Sequence, residues 1–174
     1  MNDAHSPAAR LFLALWPPDV VREALLRAAR QWQWPPGASL TRPERLHLTL
    51  HFIGPVPLSR TDELVAGLRV PFEPFEWSLE RCELWRGGIA VLCAAATPSP
   101  LAALHARLAE RLRALGLPVE EDRPFRPHVT LARKAQGATP PAALEPVRWG
   151  ATGGYRLVRS LPGGRGYEPL AGFG

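Results

Sequence analysis

The chain has a single lysine, Lys134, among 21 basic residues, and only two cysteines and one methionine in 174 positions. The lone lysine reads Lys-Ala-Gln-Gly, which excludes the Lys-x-Asp-Gly nucleophile of an ATP-driven ligase. There is no P-loop and no Gly-x-Ser-x-Gly elbow, and no cluster of His and Cys has zinc-ligand spacing. No run approaches the ~18 apolar residues of a membrane span, and the opening MNDAHSPAAR lacks the basic and apolar regions of a signal peptide. These absences predict a cytoplasmic protein with no zinc site and no membrane partner.

What is present is a chain of one-domain length, 46% hydrophobic and 21% charged, enough to bury a core. Its 20 prolines and 15 glycines lie mostly between apolar runs and read as loop punctuation. The net charge of +5 is carried almost wholly by arginine. Arginine's planar fork suits phosphate and points to an anionic or nucleic-acid partner, although a genome-wide composition bias would give the same excess.

Periodicity predicts a strand over Arg10 to Trp16 and a helix over Val20 to Trp32, with apolar positions at three- and four-residue spacing. The alternation RLHLTLHFI predicts a strand from Arg45 to Ile53, stopped by Gly54-Pro55. A second helix is expected over Leu58 to Val70, then strands Phe75 to Trp85 and Ile89 to Ala96. Pro98 to Gly116 is the clearest helix, with a leucine stripe from Leu101 to Leu115. A strand follows at Pro127 to Arg133, and shorter ones near 146–149, 155–160 and 167–170. This order predicts an α+β fold with largely antiparallel sheets.

Counting a two-residue turn at Gly87-Gly88 places Cys82 opposite Cys93 in a hydrogen-bonded pair, a poor fit to disulfide geometry. Free thiols are expected.

The tetrapeptide His-x-Thr-Leu occurs twice, as HLTL at 47–50 and HVTL at 128–131. With the chain's five His, seven Thr and 26 Leu, roughly 0.03 matches are expected by chance. Each follows a helix and a loop, so the chain holds a weak internal repeat, simplest as two lobes facing one another. In a strand His47 and Thr49 project to one face while Leu48 and Leu50 enter the opposite layer, and His128 with Thr130 does the same. Two imidazoles with pKa near 6.5 can act as acid and base at neutral pH, and two hydroxyls can hold phosphate oxygens. His51 shares the parity of His47 and is expected at a cleft edge or on the surface. Phe12 and Phe52 could stack on a base, with core packing the favoured alternative. His105 is assigned to a helix flank.

With RLFLALWPP, RPERLHLTLHFIG, RPFRPHVTLAR and RLVRSLPGGRGYEPL around these motifs, nearly the whole chain resembles the two-histidine phosphoesterase superfamily. The likeness is strongest to its bacterial RNA 2′,3′-cyclic phosphodiesterase, or 2′-5′ RNA ligase-like, branch. The resemblance implies one bilobal domain over 1–174, two pseudo-symmetric lobes about a central cleft. It implies hydrolysis of a terminal 2′,3′-cyclic phosphate to a 2′-phosphate with no metal and no nucleotide or other cofactor, and with possible reverse 2′-5′ ligation. The RNA could be a tRNA half or the substrate a small cyclic nucleotide, and the default state is a monomer. By the same resemblance His47 is the general acid, His128 the base, Thr49 and Thr130 the phosphate-oxygen ligands, and Arg133 the charge-balancing residue. The near-symmetry of the motifs does not itself assign acid and base. Strict alternation turns Arg133 away from His128 unless the strand ends or twists after Leu131, so Arg126 is held in reserve. The competing class is a non-catalytic module that binds RNA ends.

Overall fold

A computed structural model describes residues 7–174; the signal-peptide reading of the first residues lies largely outside them. Strand β1 (Ala8–Leu15) leads into helix α1 (Asp19–Arg30), followed by the short β2 (Ser39–Leu40) and the long β3 (Leu48–Pro57). Helix α2 (Thr61–Gly67) precedes β4 (Phe75–Leu79), β5 (Arg81–Trp85) and β6 (Ile89–Cys93). Helix α3 (Ser99–Ala114) and β7 (His128–Arg133) are followed by β8 (Val147–Ala151), β9 (Tyr155–Leu161) and β10 (Gly166–Phe173).

The strands form an antiparallel sheet in the order β10-β9-β1-β3-β7-β6-β5, with β2 on β7, and a separate ribbon of β4 and β8. The order β10-β9-β1-β3 is one lobe and β7-β6-β5 the other. They meet at a single register pair, Leu48 opposite Val129, so the first motif of one lobe lies beside the second motif of the other. The α+β, antiparallel architecture expected from the sequence is the one observed.

Helix α1 buries Val21, Leu25, Ala28 and Ala29, the apolar stripe of its sequence, and packs on β8. Helix α3 buries Leu101, Leu104, Leu108 and Leu112 and packs on β3, each fully buried leucine contributing about 1.5–3 kcal/mol. It ends where Gly116 takes a φ of 69°, with Leu117 N–H donating to Leu112 O at 2.9 Å, the left-handed cap that favours glycine. Among the described residues no helix is long and apolar enough to cross a membrane.

Several boundaries differ from expectation for local reasons. Gly54-Pro55 does not stop β3: Gly54 adopts a φ of 86° at a register shift against β1, and the strand continues to Pro57. The predicted second helix is shorter, a 3₁₀ turn at Leu58–Arg60 leading into seven residues of α2. The strand expected over Phe75 to Trp85 breaks at Glu80, sending β4 to β8 and β5 to β6.

The hairpin between β5 and β6 has a three-residue loop, with Trp85 opposite Ile89 and Gly88 N–H donating to Trp85 O at 3.1 Å. Gly87 and Gly88 both have positive φ. The expected Cys82–Cys93 pairing is therefore wrong by one residue. Cys82 opposes Leu92 and Cys93 opposes Arg81, which puts the two thiols on opposite faces, and both are free.

Candidate active site

Each His-x-Thr-Leu motif carries a β-bulge at its leucine. On β3, Thr49 pairs with Ala14 and His51 with Leu13, leaving Leu50 as the extra residue. On β7, Thr130 pairs with Val91 and Ala132 with Ala90, leaving Leu131 extra. Both leucines stay buried. A one-residue insertion reverses the alternation beyond it, so Phe52 and Arg133 join the cleft face that already holds the His–Thr pairs.

This corrects two expectations. His51 is not on the surface: it is 5% exposed, stacked on His105 at 4.0 Å between ring centroids, and it lines the cavity adjoining the one that holds the His–Thr pairs, on the opposite parity from His47. Phe52 is not packed in the core but 62% exposed, 6.2 Å from the Phe12 ring. Phe12 is buried, as expected, with its ring centroid 5.2 Å from that of His47. His105 does lie on a helix flank, but it is held there between His51 and Phe125, the latter at 3.9 Å.

The two histidines are held alike. His47 Nδ1–H donates to the carbonyl of Arg45 at 2.7 Å, and His128 Nδ1–H to that of Arg126 at 2.7 Å. A carbonyl only accepts, so this contact protonates Nδ1 and leaves Nε2 free to exchange a proton. His47 Nε2 accepts from the Thr49 hydroxyl at 3.1 Å. Each imidazole also rests on a tryptophan: Trp16 lies 4.8 Å from His47, nearly parallel, and Trp85 4.4 Å from His128. Tyr167 presents its ring edgewise to His47 at 5.3 Å.

These walls shape the electrostatics. Burial drives His47 down to about 4, opposed by the Arg45 carbonyl and reinforced by the charges of His128 and Arg133. Burial also lowers His128, with Arg126 and Arg133 acting in the same direction and the Arg126 carbonyl and Glu83 against it. Burial thus favours the neutral form of both imidazoles at pH 7. An arriving phosphate anion favours their protonation.

His47, Thr49, His128, Thr130 and Arg133 line one cavity of about 390 Å³. Arg126, the reserve cation, is turned elsewhere. It donates to Glu83 at 2.6 Å, lies over the Trp85 ring at 4.7 Å, and lines the adjoining cavity. Glu83 is held below the usual carboxylate range by the Trp85 Nε1–H bond of 2.7 Å, with Arg126 adding to it. Among the described residues, no three His, Cys, Asp or Glu side chains gather as a possible metal-binding group.

Trp16, Trp85 and Tyr167 escaped the sequence reading. Trp85 would have been found by a correct three-residue loop, which places it opposite Ile89 on the cleft face. Trp16 lies beyond the end of β1, where strand parity gives no direction.

The 2′-5′ RNA ligase superfamily matches residues 17–155 of the chain. The chain belongs to this superfamily. A Thermus thermophilus member named RNA 2′,3′-cyclic phosphodiesterase is 36% identical over 184 aligned positions, covering 94% of this chain and 89% of the relative. A solved phosphoesterase superposes with a TM-score of 0.82 at 26% identity, covering 94% of this chain and 96% of the other. Escherichia coli LigT in its apo form gives a TM-score of 0.78 at 26% identity over 97% of this chain and 99% of LigT. LigT has also been solved with phosphate and with 3′-AMP. The bilobal superfamily fold anticipated from the paired motifs is thus the fold of this chain.

Proposed function

We infer that this chain is an RNA 2′,3′-cyclic phosphodiesterase that opens a terminal 2′,3′-cyclic phosphate to a 2′-phosphate. The observation that carries the reading is a single cleft receiving two imidazoles, each fixed through Nδ1 by a carbonyl two residues earlier and each accompanied by a threonine. The Thermus relative's name gives the substrate class.

In the proposed reaction His128 Nε2 takes a proton from water as its oxygen attacks phosphorus. The bond from phosphorus to the 3′-oxygen breaks, and that oxygen takes the proton carried by His47 Nε2. The products are a 2′-phosphate and a free 3′-hydroxyl, and one proton exchange through solvent resets the pair. Thr49, Thr130 and Arg133 bind the non-bridging oxygens, whose charge grows in the transition state. The division into acid and base follows the family resemblance. A 5′-hydroxyl attacking in place of water would open the same P–O3′ bond and leave a 2′-5′ linkage, but water at ~55 M favours hydrolysis by mass action.

The whole of 1–174 is read as one bilobal catalytic unit, working as a cytoplasmic monomer. Cleaved tRNA halves and small cyclic nucleotides carry the same cyclic end and both fit the reading. A non-catalytic end-binding module is disfavoured, because binding does not call for a proton-exchanging nitrogen in each lobe. The test is incubation of the protein, in EDTA without ATP, with a short RNA ending in a 2′,3′-cyclic phosphate. Conversion of that end to a 2′-phosphate with a free 3′-hydroxyl is expected; tight binding without turnover would establish the binding module instead.

A further inference from the structure

The two lobes repeat each other closely around the histidines but differ in charge just outside them. In lobe 2, Arg126 sits two residues before His128 and is neutralised by Glu83 at 2.6 Å. The matching residue of lobe 1, Arg45, sits two before His47 and makes no carboxylate contact among the described residues. Its guanidinium donates to Gly164 O at 2.6 Å and lies 5.9 Å from the centre of the Tyr167 ring. Around it Arg42, Arg156 and Arg165 line a groove of about 300 Å³ floored by Trp16 and Tyr167, with Glu44 the single acidic side chain. None of these three is ion-paired among the described residues, and all three are exposed.

The groove is continuous with the catalytic cleft, because Arg45 and Tyr167 line both. The cavity on the other side, about 730 Å³, is walled by Phe52, Trp85, His105 and Phe125 and carries Glu120 beside its arginines. It is the more apolar of the two and holds less unbalanced positive charge.

In-line displacement sets the attacking and departing oxygens on opposite sides of phosphorus. With His47 serving the departing 3′-oxygen, the ribose that bears it lies toward lobe 1, and so does the chain attached to that ribose. We propose that the Arg42–Arg156–Arg165 groove binds the phosphodiester backbone of the RNA immediately 5′ of the cyclic end. The proposal rests on the phosphodiesterase reading above. It makes the protein an enzyme for oligonucleotide ends that tolerates, and does not favour, cyclic mononucleotides. Exposed guanidiniums act here as phosphate ligands that position the strand without reading its sequence.

The test compares wild type with Arg42→Gln/Arg165→Gln on two substrates, a 2′,3′-cyclic mononucleotide and a hexaribonucleotide ending in the same cyclic phosphate. Wild-type kcat/KM should be higher on the hexamer, and the double variant should lose on the order of tenfold there while keeping its mononucleotide rate. Its dependence on salt for the hexamer should flatten by about one per phosphate contact removed. Arg42→Lys/Arg165→Lys should recover part of the loss. An unchanged hexamer rate, or equal losses on both substrates, overturns the proposal. If wild type turns over neither substrate, the phosphodiesterase reading fails separately. Fluorescence anisotropy with a labelled hexamer ending in a 2′-phosphate then decides the groove: weaker, less salt-sensitive binding by the glutamine variant supports it, and equal binding overturns it.

Discussion

Leu50 in β3 and Leu131 in β7 are the same structural event in two lobes, each the extra residue of a bulge directly after the motif threonine. The bulge sends the next residue inward and the one after it back to the cleft. In lobe 1 that returning residue is Phe52, in lobe 2 it is Arg133, so a symmetric frame presents an aromatic face on one side and a cation on the other.

The two should fail differently when truncated. Arg133→Ala should lower kcat by about 10²–10³-fold, the cost of losing one donor to developing phosphate charge, with Arg133→Lys partly restoring it. Phe52→Ala should raise KM with kcat retained, because an exposed ring can bind a base but touches no reacting atom. Steady-state kinetics on a cyclic-ended RNA separates the two. Equal effects on kcat and KM from both variants would contradict these roles.

The rate should depend on pH in a way that burial dictates. The proposed acid–base pair needs one protonated and one neutral imidazole, and in the free protein both are lowered by burial, His47 to about 4. Above the higher value of the pair the reactive form is lost in proportion to proton concentration. So kcat/KM should fall about tenfold per pH unit through neutrality, bending below pH ~6.5. The profile of kcat, taken with the phosphate bound, should bend at higher pH. A flat kcat/KM between pH 6 and 8 would refute this.

Stability should decline in acid for a related reason at a different place. His51 and His105 are both lowered by burial, His105 to about 4, while the unfolded chain titrates near 6.5. The unfolded state therefore binds more protons, so their contribution is intact above pH ~6.5 and is lost as pH falls toward 4. His105→Phe, which keeps the stack on His51 and Phe125, should reduce that acid loss by about 1 kcal/mol, because solvent reaching the half-buried ring screens part of the effect. Thermal melts at pH 7 and pH 4.5 report it; a variant that loses as much as wild type would remove His105 as the cause.

Both cysteines should titrate as thiols in denaturant, without reductant, because Cys82 and Cys93 lie on opposite faces of their hairpin. A titre of zero would mean the pairing register is wrong.

The regular elements were legible because their patterns are periodic. The α1 and α3 stripes and the buried Leu48 and Leu50 follow from spacing alone, and the His–Thr pairs from strand parity and repetition. What the sequence concealed lies where periodicity is interrupted. Parity counting carried across Leu50 misplaces His51 and Phe52, and across Leu131 it turns Arg133 out of the cleft. A two-residue count at Gly87-Gly88 shifts every pair of the β5–β6 hairpin. The tryptophans behind the histidines depend on contacts between distant segments: Trp16 is fixed by donating to Glu44 O at 3.2 Å, which no local pattern announces.

The most direct measurement is kcat/KM on a cyclic-ended RNA for wild type, His47→Ala, His128→Ala and the double variant. Acid and base working on one phosphorus act as a unit, so each single variant should lose about 10²–10⁴-fold and the double should lose far less than the product of the two. A single variant that retains the wild-type rate would show that its histidine takes no part, and the two-histidine account would fall.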